Sequence, residues 1–128
     1  MMRLFVLAVL AVASPLVPAH AQTQAPAQPL VLHARTGGEL AELCAAKPTD
    51  AASAARLNFC FGYAQATLDA AARQAGGKRS YCIPSPSPSR QATMAEFAGW
   101  VRSTPAAAGA NSQEALMRFM GQRFPCKT

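Results

Sequence analysis

The sequence predicts an all-α domain, a small four-helix up-and-down bundle tied by two disulfides. Three observations carry that expectation. Apolar residues recur at helical spacing, and no strand-like alternation appears beyond the opening segment. Capping residues precede the periodic runs, and Gly or Pro follows them. Four cysteines stand in a chain of 128 residues that opens like an export signal.

Met1-Met2-Arg3 is a short cationic start, followed by an apolar run broken at Pro15 and Pro18. Ala19-His20-Ala21 is a small-x-small cleavage site, so residues 1–21 read as a signal peptide removed on export. No other apolar run approaches the roughly 18 residues needed to span a bilayer, so no membrane association is expected after cleavage. Residues 22–35, opening QTQAPAQP, lack periodicity and read as a disordered tether. Nothing demands that Val31 or Leu32 pack. Residues 36–128 then form one helical domain.

Thr36 and Glu39 match a capping box, and the first helix follows through Ala46 with Leu40, Leu43 and Cys44 buried. Pro48 stops it. Thr49 or Asp50 caps a second helix, whose stretch Leu57 to Ala75 is the element around which the rest is expected to pack. On one face lie Leu57, Phe61, Ala64, Leu68, Ala71 and Ala75. A second apolar stripe, Phe59, Tyr63, Ala66 and Ala70, requires cover from elsewhere, and a homodimer would supply it. Gly62 inside the helix suggests a close backbone neighbour, and Asp69 and Arg73 stand at ion-pair spacing.

Gly76-Gly77 ends that helix, since glycine tolerates the left-handed conformation there. The connector Cys82-Ile83-Pro84-Ser85-Pro86-Ser87-Pro88-Ser89 should run extended, with Ser87 capping the third helix and Pro88 opening it. That helix buries Met94, Phe97, Ala98 and Val101, leaves Trp100 partly covered, and breaks near Pro105. Ala106 to Ala110 reads as a connector of small residues. Asn111 with Glu114 starts the fourth helix, which turns Leu116, Phe119, Met120 and Phe124 inward before Pro125.

The cysteines have no C-x-x-C spacing of the kind that zinc sites use, so disulfides are expected and no metal or cofactor is. Four cysteines allow three pairings, and the sequence alone does not choose among them. An up-and-down topology brings Cys82 and Cys126 to one pole, leaving Cys44 to meet Cys60. Catalysis finds little support. His33 is the sole histidine after residue 21, the serines of the proline-rich connector have no base nearby, and the carboxylates are scattered. The net charge of +6 is spread along the chain, with Lys78-Arg79 its one cluster and no nucleic-acid-binding motif. Its plain reading is a solvated basic surface, and its sharper one is steering toward an acidic protein partner.

An ordered set of residues carries a resemblance: Leu43-Cys44, Phe59-Cys60-Phe61-Gly62-Tyr63, Cys82-Ile83-Pro84, Trp100-Val101 and Phe124-Pro125-Cys126. Over about Leu40 to Cys126 the chain resembles the Rap/Tai family of periplasmic immunity proteins, departing at Ala66 and in its proline-rich connector. The resemblance implies a non-catalytic periplasmic inhibitor of a cell-wall amidase toxin delivered by type VI secretion, acting as a homodimer. The alternative is a general periplasmic helper, such as an acid-stress chaperone of the Hde type. Blocking an amidase cleft calls for a protruding segment. Ser103 to Asn111 is the freest, with Ala107, Ala108 and Asn111 as contacts and Arg102 and Arg118 pairing with acids on the rim.

Overall fold

A computed structural model describes residues 30–127. The expected signal peptide and residues 22–29 of the tether lie outside the described residues. Five helices form: α1 (Gly37–Cys44), α2 (Ala51–Gln74), α3 (Arg90–Arg102), α4 (Pro105–Gly109) and α5 (Ser112–Arg123). Four are full helices and α4 is a single short turn, and among the described residues there is no strand. The class is all-α, closed by Cys44–Cys60 and Cys82–Cys126, the pairing that the up-and-down arrangement favours.

The helix boundaries follow local chemistry. Thr36 Oγ1 accepts from the Glu39 amide at 3.2 Å, satisfying one of the donors that a helix start leaves open. The Glu39 carboxylate reaches past the cap residue to the Arg35 amide at 2.7 Å and its guanidinium at 3.0 Å. Asp50 caps α2 in a reciprocal box with Ser53. Gly76 and Gly77 follow α2 at φ +55° and +90°, conformations that an L side chain rarely adopts. The third helix starts two residues later than expected, because Ser89 accepts from the Ala92 amide and Ser87 does not cap it. The connector before it bends at Ser85–Pro86, a cis bond, instead of running extended.

The centre of the domain is α1 and not α2. Leu40 has no exposed surface, Ala41, Leu43 and Cys44 are buried beside it, and α1 packs against each of the other four helices. An eight-residue helix has little stability alone, so its order derives from this enclosure. The longer α2 buries one narrow line, Leu57, Cys60, Ala64 and Thr67, rotated from the expected stripe, with Cys60 bonded to Cys44 of α1. Phe61 and Leu68 are half-buried and Ala75 is exposed. Gly62 faces open space, and Asp69 accepts from Gln65 Nε2 at 2.9 Å instead of pairing with Arg73.

The glycine that does carry a close approach is Gly37. Its amide donates to the Ala110 carbonyl at 2.9 Å, and any Cβ there would overlap the Ala107 carbonyl oxygen. α4 is thereby docked on the start of α1. The aromatic core closes the far side: Phe97 meets Phe119 edge-on at 5.5 Å, and Trp100, half-buried as expected, stands 5.7 Å from Phe119. Glu96 and Arg123 pair at 2.5 Å and tie α3 to α5 across the surface.

Part of the expected tether is structured. The Ser112 amide donates to the Arg35 carbonyl at 3.1 Å, and the buried Ser112 hydroxyl donates to the Ala34 carbonyl. The Tyr63 hydroxyl lies 2.6 Å from the same Ser112 oxygen, and Leu32 and Ala34 pack on the core. One serine thus joins the segment before α1, α2 and α5. Ser112→Ala should cost about 1–3 kcal/mol, because it strands the half-buried Ala34 carbonyl and Tyr63 hydroxyl that the serine joins. Tyr63→Phe should cost less, since Ser112 keeps its bond to Ala34. Urea unfolding of the two variants checks the order, and an inverted order would place the weight of the knot on α2.

Candidate partner-binding surface

The residues with reactive potential are occupied structurally. All four cysteines are bonded, with Cα–Cα distances of 5.2 Å for Cys44–Cys60 and 4.8 Å for Cys82–Cys126. Among the described residues no group of His, Cys, Asp and Glu could hold a metal ion, and no helix is long and apolar enough to cross a membrane. Of the carboxylates, Asp50 caps α2, and Glu39, Glu96 and Glu114 form ion pairs. Hydrogen bonds from Arg35 hold Glu39 below the usual carboxylate range, and Arg123 does the same for Glu96. The Ser53 amide lowers Asp50. Each of these groups stands at the surface, charged at neutral pH.

The contact residues expected from the sequence fare unequally. Ala107 is wholly buried against α1, so it offers nothing to a partner. Around Ala107 the segment expected to protrude is a helical turn docked on α1, because small side chains suit close helix contact as well as a loose connector, while Pro105, Ala106 and Gly109 stay exposed. Ala108 is half-buried, while Arg102 and Asn111 are exposed. Asn111 Oδ1 accepts from the amides of Gln113 and Glu114 as the cap of α5, and Arg118 pairs with Glu114 at 2.9 Å. The apolar stripe that called for a second copy is largely covered within the chain: Phe59 and Tyr63 pack on the core.

A groove that no sequence signal located lies on the other side of α2. It encloses about 350 Å³ between α2, the proline-rich connector, the start of α3 and the end of α5. Phe61 and Leu68 form one wall, Ile83 and Pro88 the other, and Met120 and Phe124 the floor. Ile83 is 49% exposed, among the few large apolar side chains so exposed in the described residues. Arg90 stands at the rim with its guanidinium 5.9 Å from the Phe61 ring centre, and it is the one charged residue lining the groove.

A stapled helical scaffold with an open apolar groove has the form of a binding protein. The chain belongs to a family of such proteins: the family model for Rap1a immunity proteins matches residues 36–126, which include all four cysteines. Members of this family inhibit a type VI secretion effector and have no catalysis of their own. Searches of characterised proteins and of solved structures return no match.

Proposed function

We propose that this chain is exported to the periplasm and neutralises a peptidoglycan amidase effector by occupying its active-site cleft. The family match over residues 36–126 carries this reading. The export-like opening and the two disulfides support it, since such bonds persist in oxidising compartments. An inhibitor without reactive groups acts by occupancy, and a scaffold ordered before binding loses less entropy on association. The acid-stress chaperone reading draws no support from the family.

Full-length chain should protect bacteria from the effector directed to the periplasm, and a version beginning at Gln22 behind a start codon should not. The purified chain should also stop release of amide-cleaved wall fragments. Equal protection by the unexported form would overturn the compartment, and undiminished wall cleavage would overturn the target. A homodimer belongs to the same proposal, carried now by the outer face of α2 at Ala66 and Ala70 instead of Phe59 and Tyr63. Sedimentation at micromolar concentration should show it, and a monomer would remove it from the proposal.

A further inference from the structure

We propose that the groove between α2 and the proline-rich connector is the seat of the effector, taking a segment that places a bulky apolar side chain beside an Asp or Glu. This rests on the inhibitor reading above and names the surface and the chemistry of its partner.

The groove has the properties of a contact surface formed before binding. Pro84, Pro86 and Pro88 restrict its outer wall, and the Cys82–Cys126 bond anchors that wall to the end of the chain. The Cys82 amide adds a hydrogen bond of 2.7 Å to the Phe124 carbonyl. A wall held in this way loses little freedom on binding, which favours affinity. It nonetheless presents Ile83 half to solvent, opposite Phe61 and Leu68. About 350 Å³ suits one or two large side chains, and the open mouth suits a continuing peptide better than an enclosed small molecule.

Charge selects the occupant. Arg90 has no carboxylate partner among the described residues, and no carboxylate lines the groove. Residues 1–29 contain no Asp or Glu, so the chain's own N-terminal segment cannot supply one. A second copy is nearly as poor a donor. Of its acids, Glu39, Asp50, Asp69, Glu96 and Glu114 are already hydrogen-bonded, which leaves Glu42. A partner of another sequence is the better source of the complementary charge.

The test is calorimetric titration of the purified chain, without residues 1–21, with the purified peptidoglycan amidase effector against which it protects. Ile83→Asp, which puts a charge into the apolar contact, and Arg90→Glu, which reverses the charge at its rim, should each weaken binding by about tenfold or more. Arg56→Glu, an exposed change on α2 outside the groove, should stay within about twofold, as surface substitutions usually do. Circular dichroism should show all three folded, and Arg90→Lys should retain most of the affinity lost on charge reversal. Groove variants that bind like the wild type would overturn the seat and leave the inhibitor reading standing. Failure of the wild-type chain to bind would overturn both. Unchanged effector binding with altered sedimentation would give the groove to a second copy and overturn the proposal.

Discussion

Gly37→Ala should destabilise the domain by about 3 kcal/mol or more, the upper range for forcing atoms into a packed interior. The new methyl would overlap the Ala107 carbonyl oxygen and stand 2.8 Å from the Ala115 Cβ. Neither obstacle is a flexible side-chain end, so α1 must move away from α4 and α5 together. Moving α1 also opens the enclosure around Leu40. Gly62→Ala is the internal control. It adds the same methyl inside a helix, where nothing lies within 4 Å. Replacing a mid-helix glycine there should stabilise by about 0.5–1 kcal/mol. Opposite signs in urea unfolding confirm the assignment of close approach, and a neutral Gly37→Ala would refute it.

Removing the Cys44–Cys60 bond by paired alanines should rank next, at about 4 kcal/mol. Chain entropy alone points the other way. Separations of 16 and 44 residues correspond to about 3 and about 4 kcal/mol for Cys44–Cys60 and Cys82–Cys126. Two local facts reverse the order. The sulfurs of Cys44 and Cys60 are buried in the core, so alanines also leave a void there. Cys82 is exposed and its partner follows α5, so losing that bond frees mainly the connector and the residues after α5. The double variants compared by denaturant unfolding decide the matter. If Cys82→Ala with Cys126→Ala is the costlier pair, the connector is structurally coupled to the core.

What was legible in the sequence was local. Thr36, Asp50 and Asn111 each cap the helix they precede, and Leu40, Leu43, Phe97, Phe119 and Phe124 are all inside. Cap chemistry and periodicity act within a few residues, so one segment suffices to show them. The centre of the fold did not show, because length and apolarity favoured Leu57 to Ala75 over an eight-residue helix whose importance comes from its neighbours. Gly37 looked like a residue of the first turn, and only the approach of α4 reveals why it lacks a side chain. Ala107 belonged to a run of small residues, a pattern shared by loose connectors and tight contacts. The groove escaped for a related reason. Phe61, Ile83 and Arg90 come from three elements, and no spacing in the chain announces that they meet.

The order of the bonds along the chain has a consequence for biogenesis. Cys44 joins Cys60 and Cys82 joins Cys126, so each cysteine pairs with its immediate neighbour in the series. A polypeptide that emerges amino-terminus first into an oxidising compartment presents its thiols in that order. A simple oxidase joining each newcomer to the one still waiting would produce the native linkage without reshuffling. Cys126 follows Cys82 by 44 residues, so Cys82 stays reduced over that length of chain. The wall of the groove is sealed after the Cys44–Cys60 bond, and a product cut short before Cys126 would carry a reactive thiol that marks it as unfinished.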